Sequence, residues 1–348
     1  MKKYLFIISL CLVALTSCNK KSERMLTSAT GSIYELLVVV DNQYWESHVG
    51  DTLRELFEAP VPALPQVEPY FNLSHAPLAA FDNMLMPSRN ILLIDVNGEK
   101  YTQTKIGYST DRWSHPQAVV RICCPNKEEL VKCLDEYGLK VRKYFVDEEL
   151  HRQGDFYKSY CNHDAAQDIM RKFGVMVQIP NDMVKIESDR DFYWVCDARG
   201  QARKDIVIYS YPYTDKNTFT PEFLIHKRDS VMAQHVKGSI EGSYMITEMK
   251  HIPPVFNEIY VNDNGYCAEL RGLWKMQDGL SMGGPFVSHS RVDELNRKVI
   301  TIECFVYAAG MKKRNTLRQL EAVLYTMKLP QEINAIPTLD VRPDSPIL

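Results

Sequence analysis

Residues 117–146 read QAVVRICCPNKEELVKCLDEYGLKVRKYFV and carry the clearest fold signal in the chain. The segment 117–124 is a short apolar run rich in β-branched residues, which is typical of a buried strand. After Pro125, Asn126 and Glu129 form a capping-box pattern, and an apolar stripe follows at helical spacing over about four to five turns. The stretch therefore predicts a strand that leads directly into a long amphipathic helix.

The same order of strand and helix occurs four times along the chain, and further strands are predicted between these units. The four segments are 35–57, 117–146, 205–236 and 299–327. Because strands outnumber helices, the pattern favours an α+β fold. We expect two lobes of mixed or antiparallel sheet with helices packed on one face.

Composition along the chain predicts five segments. Residues 19–24 are polar and mostly basic, and the end of the chain is rich in proline, so neither stretch is suited to a core. The predicted segments are a signal peptide at 1–17, a flexible tether at 18–33, an N-terminal α+β lobe at 34–160, a C-terminal α+β lobe at 161–329 and a proline-containing tail at 330–348.

The N-terminus has the order of a lipoprotein signal peptide. Lys2 and Lys3 precede an apolar run at 4–14, and Leu15, Thr16, Ser17 and Cys18 resemble a bacterial lipobox. The pattern predicts cleavage before Cys18, a diacylglyceryl thioether on its sulfur and an acyl chain such as palmitate on its new amino group. Two or three chains anchor a protein firmly, since each buried CH₂ contributes about 0.8 kcal/mol. The alternative is ordinary cleavage, or Cys18 as a disulfide partner.

Four stretches together resemble a known family. They are the lipobox, ELLVVVD at 35–41 with Trp45 soon after, LPQVEPYFNL at 64–73 and RGLWKMQDGLSMGGPF at 271–286. The combination resembles an uncharacterised lipoprotein family of Bacteroides-type bacteria, catalogued as a domain of unknown function. The resemblance implies an exported, lipid-anchored protein of the cell envelope. Because no acidic residue directly follows Cys18, it further implies a periplasm-facing position.

Composition and motifs exclude several classes of protein. The net charge of −3 argues against a nucleic-acid partner, which would need a clustered basic surface. The sequence contains no P-loop, no G-x-G-x-x-G and no HExxH, and its histidines are scattered. We therefore predict no metal and no cofactor.

The G-x-S-x-G pattern at 279–283 makes Ser281 a candidate nucleophile. In a hydrolase elbow the serine stands between a strand and a helix. Here Gly284, Pro285 and Phe286 follow instead, without a helical pattern. The alternative is a glycine-rich turn.

The same stretch is a candidate contact loop, because large apolar side chains surround its glycines. The candidate residues are Trp274, Met282, Gly283, Gly284 and Phe286. Such a loop would offer an apolar contact to a partner or to lipid. The alternative is that these side chains fill the core.

Three cations precede a predicted helix that starts near Asn315. Lys312, Lys313 and Arg314 oppose the helix dipole, so an anion such as phosphate, a carboxylate or a lipid headgroup is expected beside them. The alternative is a solvated turn.

The sequence thus predicts a membrane-tethered binding protein. Its partners would be the membrane, through Cys18, and an envelope protein, a peptide, or an anionic glycan or lipid group. The alternative function is hydrolysis of an envelope polymer by Ser281.

Overall fold

The computed structural model of the chain describes residues 26–262 and 264–333. The signal peptide at 1–17, the lipid-attachment residue Cys18, the first part of the tether and residues 334–348 of the predicted tail lie outside the described residues.

Seven helices and fifteen strands are named here within the described ranges. The helices are α1 (Asn42–Trp45), α2 (His48–Phe57), α3 (Lys127–Ser159), α4 (His163–Phe173), α5 (Pro221–His235), α6 (Arg314–Tyr325) and α7 (Pro330–Ile333). The strands are β1 (Thr27–Ser28), β2 (Glu35–Val39), β3 (Asn72–Ala76), β4 (Asn90–Val96), β5 (Lys105–Thr110), β6 (Ser114–His115), β7 (Ala118–Cys124), β8 (Val184–Asp189), β9 (Phe192–Asp197), β10 (Arg203–Pro212), β11 (Tyr244–Glu248), β12 (Val255–Val261), β13 (Gly265–Gln277), β14 (Gly283–Asp293) and β15 (Lys298–Tyr307).

The N-terminal half contains a five-stranded sheet in the order β3-β2-β4-β7-β5. The first four strands run parallel and β5 pairs antiparallel with β7. Apolar residues point to both faces of β2, β4 and β7, as expected for a parallel sheet covered on both sides. Helices α2 and α3 pack on one of these faces, and α3 begins where the sequence predicts, with the Asn126 side chain accepting from the Glu129 N–H at 2.9 Å.

The C-terminal half contains an antiparallel sheet in the order β11-β13-β14-β15-β10-β9-β8, with β12 also paired to β13. Helix α6 packs against β14 and β15 on one face. Helix α5 covers part of the opposite face, where Tyr209, Tyr211, Val299 and Phe305 form a separate apolar cluster. This sheet has a helix on each face because both of its faces are apolar.

The predicted α+β class, with one mixed and one antiparallel sheet, is confirmed. The largest apolar cluster includes residues of both sheets, and α3 joins them by packing against α6. In the described part of the chain, no helix combines the length and the apolar character that crossing a membrane requires.

Candidate functional site

A cavity of about 220 Å³ opens on the face of the antiparallel sheet that α5 covers only in part. Helix α5 ends at His235, and the following residues, Val236 to Ser239, form one wall of the cavity. The sheet supplies the floor, which includes Trp194 on β9, Trp274 on β13 and Phe305 on β15. The cavity therefore lies where a covering helix stops and an aromatic sheet surface continues.

The indole of Trp274 is held in place by the neighbouring strands. Trp274 pairs with Gly284 on β14, and its Nε1 donates to the Val306 carbonyl oxygen on β15 at 3.3 Å. A Cβ atom at Gly284 would lie 3.1 Å from this Nε1 and 1.9 Å from the Val306 oxygen. Gly284 is thus required so that the indole can reach across β14. Trp274 also meets the edge of the Phe305 ring, with centroids 5.8 Å apart.

The second indole, that of Trp194, is held by the buried carboxylate of Asp205, which in turn pairs with the partly exposed Arg203. Its Nε1 donates to Asp205 at 2.9 Å, and Arg203 donates to both oxygens of the same carboxylate at 2.9 to 3.1 Å. Burial raises the pKa of Asp205, while Arg203 and Trp194 act to lower it. The two indoles are therefore preorganised, and ligand entry does not have to order them.

The mouth of the cavity has an excess of positive charge. The charge of Arg203 is balanced by Asp205, whereas Lys237 is exposed and donates only to the Ala233 carbonyl oxygen among the described residues. Leu280, more than half exposed, stands at the same rim. An apolar interior with a cationic rim suits an apolar group that is flanked by carboxylates.

The predicted contact loop contributes to this cavity in part. Trp274 and Met282 line it. Gly283 is exposed beside it and Gly284 is buried beneath the indole. Phe286 does not line it: its ring is fully buried under helix α5, and the Arg228 guanidinium carbon lies 3.8 Å from the ring centroid.

The candidate nucleophile Ser281 lies in the turn that joins β13 to β14. Strand β14 begins at Gly283, so the residue that follows this turn enters a strand. The strand-to-helix geometry of a nucleophile elbow is therefore not formed at 279–283, and the motif is a hairpin turn in which Asp278 has a φ of 52°.

The three predicted anion-binding cations have different environments in the structure. Lys312 is exposed, whereas Lys313 and Arg314 are buried at the start of α6. Their backbone N–H groups donate to the two oxygens of Glu68, at 2.6 and 3.1 Å. A carboxylate of the same chain thus occupies the position for which the sequence predicts an external anion, and it caps α6.

Several residues of the cavity carry no local sequence signal. Trp194 lies on β9, Val236 directly follows α5 and Met245 lies on β11, and no pattern in the sequence indicates that they meet. Arg203 and Asp205 were detectable as an ion pair, because residues two apart on a strand share a face. Within 26–262 and 264–333, no three His, Cys, Asp or Glu side chains are grouped in a way that could hold a metal ion.

Two family models match this chain, one on each half. Residues 29–158 match Domain of unknown function (DUF8532), and residues 162–326 match Domain of unknown function (DUF4837). The chain contains two domains of unknown function. The cavity beside Trp274 belongs to the second of them, since its lining residues fall between 194 and 307. No curated protein matches the chain.

Part of the chain is similar to two solved structures. One is the Ran-binding protein Mog1p of Saccharomyces cerevisiae, with 9% identity, a TM-score of 0.30, and coverage of 45% of this chain and 90% of that one. The other is the human StarD13 (DLC2) lipid transfer and protein localization domain, with 9% identity, a TM-score of 0.21, and coverage of 44% and 90%. At these TM-scores, neither likeness bears on what the chain binds.

Proposed function

We propose that this chain is a lipid-anchored binding protein of the bacterial envelope, and that the cavity beside Trp274 receives one apolar side chain of a partner protein. The observation that carries this proposal is the combination of two fixed indoles inside and an unbalanced lysine at the rim. A deep apolar pocket with rigid aromatic walls is the usual setting of an interface hot spot.

The size of the cavity favours a side chain over a larger ligand. An apolar cavity of about 150 Å³ holds benzene, and sites for whole small molecules usually measure about 300 to 1,000 Å³. At about 220 Å³ the present cavity has room for one leucine, phenylalanine or tryptophan side chain. The positive charge of Lys237 at the rim favours partners that have a glutamate or aspartate next to the apolar residue that enters the cavity.

Anchoring at the membrane is supported by the lipobox at residues 15–18 and by the polar stretch that follows it. We also propose a periplasm-facing position, which the resemblance to Bacteroides-type lipoproteins implies because no acidic residue directly follows Cys18. Labelled palmitate should enter the full chain in cells and should not enter the Cys18→Ser variant. Equal labelling of the two would end this part of the proposal.

The binding reaction can be tested with short acidic peptides that carry one central tryptophan or leucine between glutamates. The chain has four tryptophans, and their indole N–H signals in an NMR spectrum report on separate regions. Titration should shift the signals of Trp194 and Trp274 and leave those of Trp45 and Trp113 in place. The same peptide with alanine at its centre should cause no shift, and the peptide with lysines in place of glutamates should bind more weakly.

Two leucines in hairpin turns of the same sheet provide a matched pair of variants. Leu280 is 55% exposed at the cavity rim, and Leu295 is 60% exposed in the turn between β14 and β15. Leu280→Asp should weaken peptide binding at least about tenfold, which corresponds to about 1.4 kcal/mol. Leu295→Asp should bind like the unaltered chain. Equal affinities of the two variants, or equal shifts at all four indoles, would refute the assignment of the cavity.

A further inference from the structure

A second and larger cavity, of about 480 Å³, lies where the two halves of the chain meet. It is bounded by helix α3 and Tyr70 from the first half, and by β12, β13 and α6 from the second. This volume falls within the range of sites that hold whole small molecules. The cavity is separate from the one beside Trp274 and has different chemistry.

The floor of this junction cavity is a buried network of charges. Arg271 donates to Glu321 at 2.7 and 2.9 Å and to Glu269 at 3.0 Å. Arg318 donates through one nitrogen, Nη1, to both oxygens of Glu321. All four side chains are nearly inaccessible to solvent, so their charges interact in a medium of low dielectric.

Arg318 has donors that this network does not use. Its Nε is buried and has no hydrogen-bond partner in the part of the chain that the structure describes. The flat face of its guanidinium lies 5.3 Å from the ring centroid of Tyr70 and 5.9 Å from that of Tyr34. An unsatisfied donor of a buried arginine costs free energy, so its presence beside a cavity points to a ligand oxygen.

His289 is a further titratable group beside the floor. His289 is buried, with its Nε2 3.5 Å from Glu269. Burial alone would lower the pKa of His289, but the neighbouring Cys267 and Glu269 outweigh this effect and raise it to about 10. The two arginines of the floor balance the two carboxylates. What the floor offers to an anion is therefore the set of Arg318 donors that Glu321 does not use.

The walls of the junction cavity are suited to a ligand that contains a hydroxylated ring. Tyr260 and Leu139 are both mostly exposed and stand on β12 and α3, respectively. Asn257 donates its side-chain N–H to Glu269 at 2.9 Å. The side-chain oxygen of Asn257 takes no part in that bond and can accept one from a ligand. Glu258 also borders the cavity and provides an acceptor for hydroxyl groups. Aromatic faces beside planar polar groups fit a hydroxylated ring.

We propose that the junction cavity binds a small monocarboxylate with a ring-sized polar body, the chemical class to which uronic acids belong. A carboxylate accepts two parallel hydrogen bonds from one guanidinium, which the free side of Arg318 is able to give. A phosphate group, with a charge of about −1.5 to −2, would be repelled more strongly by Glu269 and Glu321.

The proposal is tested by calorimetry on the full chain with glucuronate, glucose and inorganic phosphate as probes. Glucuronate should bind with a measurable Kd, and glucose and phosphate should bind at least about tenfold more weakly. Binding of glucose as strong as that of glucuronate would overturn the assignment of the carboxylate. No saturable binding of glucuronate at millimolar concentration would overturn the proposed class.

Surface variants locate the site without disturbing the buried network. Leu139→Glu adds a negative charge at the cavity wall and should weaken glucuronate binding at least about tenfold, whereas Leu139→Lys should keep or strengthen it. Leu295→Glu, on an equally exposed leucine that does not line the cavity, should have no effect. One further variant changes the network itself: Arg318→Lys keeps the charge and loses the guanidinium fork, so it should also weaken binding. If Leu139→Glu and Leu295→Glu bind glucuronate equally, the site is not in this cavity.

Discussion

Removing one partner of the buried ion pair between α5 and β15 should destabilise the protein far more than removing both. Arg228 donates to the two oxygens of Glu303 at 2.8 to 3.1 Å, and both side chains are almost completely buried. Arg228 also donates to Thr247 at 3.0 Å. This pair connects the helix that covers the aromatic face of the sheet to one of its central strands.

The single variant Glu303→Leu leaves the guanidinium of Arg228 buried without its carboxylate. Breaking such a pair costs about 3 to 5 kcal/mol. The matched family region at 162–326 has the size of a domain for which each kcal/mol changes Tm by about 2 to 4 °C. We therefore expect Tm to fall by about 6 to 20 °C.

The double variant Arg228→Met with Glu303→Leu removes both charges and keeps similar volume. Burial raises the pKa of Glu303 despite the adjacent Arg228, which means that desolvation outweighs the attraction between the two charges. The double variant should therefore be as stable as the unaltered chain, or more stable by about 1 to 4 kcal/mol.

The assay is thermal and urea denaturation of the unaltered chain, both single variants and the double variant, followed by circular dichroism. The m value must stay constant for the comparison to report on the native state. A double variant that is as unstable as Glu303→Leu would refute the reasoning, since it would show that the pair itself stabilises the fold.

Three further predictions concern single positions. Gly284→Ala places a Cβ atom 1.9 Å from a backbone oxygen of the neighbouring strand and should cost at least about 1 to 3 kcal/mol in urea denaturation, whereas Gly107→Ala, with open space around it, should be neutral. The pKa of His289 is raised from 6.5 to about 10, so its charge stabilises the fold below pH 6.5 and this contribution is lost as the pH rises to about 10; His289→Gln should flatten the stability curve over that window. Glu68→Gln, which weakens the cap of α6, should lower the free energy of unfolding by about 0.5 to 2 kcal/mol, and Glu99→Gln, on an exposed residue, should leave it unchanged.

Residue patterns near helix ends are sufficient to predict where several helices begin or end. Asn126 caps α3 as its spacing with Glu129 predicts, and Thr220 with Pro221 marks the first turn of α5. Gly174, with a φ of 75°, ends α4, since glycine adopts this left-handed conformation without the clash of a Cβ atom. These signals depend on backbone groups within one turn of the residue, so they can be read without knowledge of the fold.

Breaks and extensions of helices are missed where no residue pattern marks them. The segment 35–57 predicts one strand and one helix, but the structure has two helices there, and Ser47 caps the second. The close approach of Gly50 to the Trp45 carbonyl, only 1.9 Å from an ideal Cβ position, marks the tight turn between them. Likewise, α3 continues past the predicted stripe to Ser159, because its later turns bury apolar side chains against the C-terminal half.

The sequence indicates some residues of the cavity beside Trp274 and gives no sign of others. Trp274 and Met282 stand in a stretch with an unusual glycine and apolar pattern, so the sequence indicates them. Trp194 and Phe305 reach the same cavity only through the pairing of β9, β10, β15, β14 and β13. Strand order in an antiparallel sheet is set by long-range contacts, and a single sequence does not specify these by any local pattern.

The length of helix α3 has a consequence for how this chain can evolve. Its 33 residues extend over about 50 Å, and its buried side chains belong to one apolar cluster with those of α6. A protein of residues 29–158 alone would expose the apolar side chains of α3 that pack against α6. A protein of residues 162–326 alone would expose the matching side chains of α6. We therefore expect neither region to fold stably on its own, so that a rearrangement separating them would yield unfolded products.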